Sequence, residues 1–250
     1  MKLSFVIFVC CLTFLKFSSA NFVTIKCSYY LDYDNLYSCL VENKEVFTDD
    51  RVRIKKIEGQ HLDEKSNNDV EVFGIQDAPN LKFFPRKINN VFKNLTKIFI
   101  QDSNLTEITS EDLKVFPELK ALDLSGNEIE VIREDTFKFN PELEEIWLDR
   151  NKIRHIDFKA FNNLENLKKL WLHGNICETG DAENREEVLE MVKIIEENSC
   201  QPGKFTTMYP FEIFNEELEN FTSPVALTSF SDKIKINFLF VIISFIINSL

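Results

Sequence analysis

The chain has 250 residues, 41 of them acidic and 29 basic, for a net charge of −12 at neutral pH. A surface of that sign repels a polyanion, which argues against nucleic acid as a partner.

Residues 1–20, MKLSFVIFVCCLTFLKFSSA, join the early Lys2, an apolar run and the small-residue end Ser18-Ser19-Ala20. That is the pattern of a secretory signal peptide cut after Ala20. Its removal takes Lys2 and Lys16 and no acid, leaving 27 basic residues against 41 acidic, net −14. Cys10 and Cys11 leave with it, so Cys27, Cys39, Cys177 and Cys200 remain. Four cysteines allow three pairings. The local one, Cys27 with Cys39 and Cys177 with Cys200, would put one bridge at each end of the central segment. None of the four sits in a C-x-x-C pair, so zinc is excluded on spacing.

Residues 21–69 alternate apolar and polar side chains up to Glu58 (Leu40, Val52, Ile54, Ile57), as a small β cap would, and then enter a polar loop from Gly59 to Asp69. His61 in that loop has no neighbour at metal-ligand spacing.

Residues 70–176 repeat. LKALDLSGNEI, LEEIWLDRNKI and LKKLWLHGNIC start at Leu119, Leu143 and Leu167, so each interval is 24 residues. Leu95 opens an earlier copy with Ile98, Ile100 and Leu105 in place and Ser103 where the others carry Asn. Val70, Phe73 and Ile75 open an irregular first copy, 25 residues before. Alternating pairs such as Leu122-x-Leu124 mark a short strand in each copy. Asn127, Asn151 and Asn175 fall at the turn leaving it, where a side-chain amide can bind backbone groups the strand no longer pairs. Ile108, Ile132 and Ile156, with Leu113, Phe137 and Phe161, recur at the same period and are expected to close the far side of the core.

After Asn175 the pattern changes to Val188, Met191, Val192 and Ile195, one apolar stripe on a helix expected over 183–198. Residues 177–200 therefore read as a second cap, and 201–235 as a linker out of register with the repeats. The tail 236–250 contains FLFVIISFII, too short as a helix for a ~30 Å hydrocarbon core. An apolar end after a polar spacer matches a GPI-attachment signal, with Ser229 as attachment site and Ala226 and Thr228 as rivals; a short membrane anchor is the alternative.

The pattern L-x-x-L-x-L-x-x-N/C-x-L, carried by the three copies above, resembles that of leucine-rich repeat proteins. With a cysteine at each flank, residues 27–200 resemble the extracellular members found in receptor ectodomains, small proteoglycans and adhesion molecules, although the usual C-terminal cap has four cysteines and this one two. The resemblance implies an α/β solenoid, a curved right-handed array of parallel strands with an irregular or helical convex side and a C-terminal capping helix. It further implies a protein that binds another extracellular or cell-surface protein, in adhesion, as a co-receptor or in innate immune recognition, with no cofactor and no catalysis. A soluble recognition protein for microbial surfaces or lipids is the rival reading.

Residues between the leucines should point out of the concave sheet. The central row is Phe99, Asp123, Trp147 and Trp171, which includes both tryptophans of the chain. Flanking rows are Lys97, Ala121, Glu145, Lys169 and Gln101, Ser125, Asp149, His173. Glu145 is expected to face Lys169, and Asp149 to face His173 as a solvated pair. Paired exposed indoles rimmed by charge are expected to anchor a protein ligand, although aromatic neighbours on adjacent strands also stabilise a sheet without any ligand. Asn94, Asn104 and Asn220 head N-x-Thr sequons, so glycans are expected there.

Overall fold

The computed structural model describes residues 21–48, 51–177 and 179–197. The signal segment, Cys200, the 201–235 stretch with Asn220 and Ser229, and the apolar tail lie outside the described residues.

The chain starts with β1 (Phe22–Leu31) and β2 (Tyr37–Val41), an antiparallel hairpin, followed by β3 (Arg53–Glu58), which runs parallel to β1 on its other side. Alternation decides which face is buried: Ile25, Cys27 and Tyr29 point inward and the residues between them do not. Cys27 and Cys39 are disulfide-bonded across the hairpin. Closing a loop of this length contributes about 3 kcal/mol. The hairpin turn is built by Asp32, whose Oδ1 accepts the amides of Asp34 at 2.9 Å and Leu36 at 2.8 Å. His61 is a packing residue: its ring lies 4.0 Å from that of Tyr29, and its Nδ1 is 2.9 Å from the Tyr37 hydroxyl. Burial, reinforced by Tyr37, pushes the Tyr29 phenol up to about 12.

From here each repeat adds one short strand. In chain order come β4 (Val72–Gln76), β5 (Lys97–Gln101), the single-turn helix α1 (Ser110–Leu113), β6 (Ala121–Asp123), β7 (Val131–Ile132), β8 (Glu145–Trp147), β9 (His155–Ile156), β10 (Lys169–Trp171), β11 (Asp181–Ala182) and the helix α2 (Arg185–Glu197). Among the described residues, the sheet runs β11-β10-β8-β6-β5-β4-β2-β1-β3, and β7 pairs with β9 separately. The strands from β2 to β10 are parallel with no slip: Ile98, Leu122, Ile146 and Leu170 stand opposite one another and are fully buried. A constant 24-residue period gives each copy the same path, so the leucines form one continuous core. Phe137 and Phe161 stack on the convex side with centroids 5.9 Å apart.

The asparagines form a ladder. Asn151 donates to the carbonyls of Leu124 (2.9 Å) in the preceding repeat and Leu148 (3.2 Å) in its own, while its Oδ1 accepts the Ile129 amide (3.0 Å). Asn127 and Asn175 repeat the arrangement. Ser103 does part of this work, accepting the Ala78 amide and donating to the Gln101 carbonyl. The residue before each ladder position turns the chain with positive φ: Asp102 (46°), Gly126 (67°), Arg150 (52°) and Gly174 (68°). Glycine takes this conformation without strain, whereas an L side chain costs about 1 kcal/mol.

At the C-terminal end, β11 pairs antiparallel with β10, and α2 lays Val188, Met191 and Ile195 over the last repeat. Arg185 at the start of α2 donates to the Leu164 carbonyl at 2.9 Å. Cys177 is buried and disulfide-bonded.

Candidate functional site

The strand register brings the central row together. Phe99 stands opposite Asp123, Asp123 opposite Trp147, and Trp147 opposite Trp171. The two indoles meet edge to face, with centroids 5.9 Å apart and planes at 83°. That geometry sets the positive edge of one ring against the negative face of the other. Both are half-buried rather than standing open side by side, and the Trp171 indole N–H is enclosed without an acceptor among the described residues. Lys97 places its ammonium 5.9 Å from the Trp147 ring.

Phe99 does not project freely. The backbone opposite it is Gly74, and a Cβ there would sit 1.9 Å from the Phe99 ring. The far end of the ring therefore occupies the space over the glycine, which only a residue without a side chain leaves open.

The flanking rows divide. Glu145 and Lys169 pair at 2.9 Å, as their register requires. That hydrogen bond is the main reason the Lys169 ammonium is held above its ordinary value, with Glu183 and Asp34 adding to it. The other row corrects the expectation of a solvated rim. Ser125 and Asp149 are 4% and 5% exposed. Ser125 donates its hydroxyl to Asp123 Oδ1 at 2.7 Å. Asp149 binds Arg150 through Oδ2 at 3.1 Å, while its Oδ1 is buried without a hydrogen bond. His173 faces Asp149 as expected, with Nε2 3.8 Å from Oδ2, and its Nδ1 lies 2.8 Å from Asp181 Oδ2. The second cap adds that second carboxylate, because β11 pairs with β10 and sets Asp181 beside the imidazole.

Asp123 is the electrostatically loaded residue of the face. Its two oxygens accept from the Ser125 amide and hydroxyl and from Gln101 Nε2. Burial nevertheless raises its pKa above the ordinary value, and the charge of Asp149 adds to the rise.

One part of the site carries no signal in the repeat pattern. The β1–β2 turn comes over the concave sheet, so Tyr30, Tyr33 and Asp34 face Lys97, Phe99 and Asp123 across a cleft of about 220 Å³. Tyr33 is fully exposed at 107% of the reference area. The only hint in the sequence is the run Tyr30-Leu-Asp-Tyr-Asp34 between two cysteines, which by itself does not say where the turn goes.

Asn94 and Asn104 are both exposed and donate to the carbonyls of Asn68 (2.8 Å) and Pro79 (2.6 Å).

The sequence profile described as Leucine rich repeat matches residues 93–146 and 117–176. A comparison with curated proteins finds no match. Among solved structures, the chain is similar to the Toll–Spatzle complex of Drosophila, with 18% identity, a TM-score of 0.41, and coverage of 49% of this chain and 17% of that one. It is also similar to the octameric complex of Latrophilin 3, Unc5D and FLRT2 (17% identity, TM-score 0.39, 59% of this chain and 54% of that chain). A third is the receptor kinase SOBIR1 ectodomain of Arabidopsis thaliana (14%, 0.36, 60% and 79%). The chain thus spans less than a fifth of the first of these chains and about half of the second.

Proposed function

We propose, from the premise that this chain is a leucine-rich repeat protein, that its concave sheet face docks a protein partner outside the cell and that Trp147 and Trp171 anchor the contact. The observation that carries the reading is the edge-to-face indole pair, in register on neighbouring strands, flanked by Lys97 and the Glu145–Lys169 pair. Rigid aromatic anchors ringed by charge are the residues that dominate binding energy at protein interfaces. No catalytic role is assigned, because among the described residues no nucleophile, base and oxyanion donor converge on this face.

An extracellular setting is supported by the Cys27–Cys39 bridge, which persists in oxidising compartments, and by the signal-like first 20 residues. Adhesion, co-reception and immune recognition are the roles such a module would serve. Attachment through a GPI group at Ser229 is part of the same proposal; a mature chain ending at Leu250 by mass spectrometry would sink it. Glycans at Asn94, Asn104 and Asn220 belong to it as well, read as loss of mass on amidase treatment. The first two would stand at turns flanking β5 and leave the sheet face open.

The test is the combined Trp147→Ala and Trp171→Ala chain, displayed against the wild type on cells that bind the latter. Each truncated anchor is expected to weaken binding about tenfold or more. Unchanged binding by a variant with unaltered circular dichroism would overturn the reading.

A further inference from the structure

The cleft under the β1–β2 turn is a different kind of surface from the indole pair beside it. It is lined by Tyr30, Tyr33 and Phe99, the last with the end of its ring seated over Gly74. Its carboxylates are not equivalent. Asp32 is half-buried and commits its Oδ1 to the turn, where it accepts the amides of Asp34 and Leu36. Asp123 has both oxygens engaged by Ser125 and Gln101. Asp34 is exposed; among the described residues its carboxylate accepts no hydrogen bond, although its charge acts on Lys169. Among the described residues the cation lining the cleft is Lys97, whose ammonium lies 5.9 Å from the Trp147 ring. Three rings and an exposed carboxylate with no hydrogen bond among the described residues, around a space for a single side chain, suit a planar cation. Aromatic faces attract it through their quadrupole, and the carboxylate accepts its N–H groups in pairs. Tyr33 has no packing role at full exposure, so its ring is available for such a contact.

We propose that this cleft receives an arginine side chain of the protein partner, its guanidinium lying between the Tyr33 and Phe99 rings and hydrogen-bonded to Asp34. A basic partner segment also complements a chain of net charge −12. The inference rests on the concave face being the docking surface, and it adds the chemistry of what enters. Arginine is favoured over lysine because a compact, strongly hydrated ammonium gains less from stacked rings than a guanidinium does.

The experiment titrates the full chain against a fluorescent peptide alternating arginine with glycine, alongside its lysine and citrulline counterparts. Citrulline keeps the planar shape and removes the charge. The arginine peptide should bind about tenfold more tightly than the citrulline peptide, with lysine between them. The exposed pair Tyr33→Ala with Asp34→Asn should lower arginine-peptide affinity by about tenfold while leaving thermal unfolding unchanged. Equal binding of arginine and citrulline peptides overturns the proposal. So does arginine binding that survives both substitutions, since that is diffuse attraction to an acidic chain. Either result, with the tryptophan variants still losing the native partner, removes the arginine cleft and keeps the docking face. Loss of arginine discrimination in the Tyr33→Ala, Asp34→Asn chain while the tryptophan variants bind normally does the reverse.

Discussion

Asn151 illustrates how much one side chain does in a repeat this short. Its amide ties the end of its own strand to the preceding one, with three carbonyls and one backbone N–H as partners in a site where water cannot replace it. A buried backbone group left unpaired costs about 1–3 kcal/mol. Asn151→Ala is therefore expected to lower stability by about 3 kcal/mol or more, read as a shift in the urea midpoint; a change near zero would mean the ladder is decorative. Asp123 has the opposite character. Its folded pKa is raised by burial and then by Asp149, so the protonated form is the one the fold prefers. Its contribution is fully present below the unfolded carboxylate pKa of about 3.9 and is lost as pH rises through the raised value. Asp123→Asn removes that loss. The stability of the variant relative to the wild type should rise as pH climbs from about 4 toward neutrality, and a flat difference across that range would refute the account.

Among the elements, β4 is the one whose sequence departs most from its neighbours, and the departure has a cause. Gly74 occupies the place that Trp147 and Trp171 hold further along the sheet, and the Phe99 ring fills the space above it. Gly74→Ala would drive a methyl into that ring. Overpacking of this kind costs about 1–3 kcal/mol and would lift Phe99 into the cleft. Calorimetry should register the lower midpoint, and nuclear magnetic resonance should show displaced Phe99 ring signals. An unchanged midpoint with unmoved Phe99 signals would show that the ring is not seated there. The β1–β2 hairpin is the other irregular element. Its strands extend the sheet, but its turn lines the concave face, and Asp32 Oδ1 holds that turn in shape.

For the molecule as a whole, stacking makes stability nearly one-dimensional, because β4, β5, β6, β8 and β10 each pack chiefly on their immediate neighbours. Damage at one end should therefore stay near that end. Replacing Cys27 and Cys39 by Ala removes about 3 kcal/mol of loop constraint from the first cap. Hydrogen exchange should speed up through β1, β2 and β4 and change little at β8 and β10. Equal acceleration at both ends would instead indicate a single cooperative unit. Both tryptophans lie on the concave face, so the tryptophan emission of the chain reports on that surface.

The 24-residue spacing of leucines and asparagines determined the parallel strands, their register, the ladder and the facing of Trp147 to Trp171, because each follows from a local path copied at a constant interval. The same holds for the stripe of Val188, Met191 and Ile195, which announced the closing helix. What only the tertiary structure decided is how contacts form across the face. The first turn passes over the sheet, Ser125 and Asp149 sink out of solvent, Phe99 settles against Gly74, and Asp181 joins Asp149 beside His173. Those outcomes depend on curvature and on side chains from distant segments competing for the same space, and no periodicity along the chain encodes that competition.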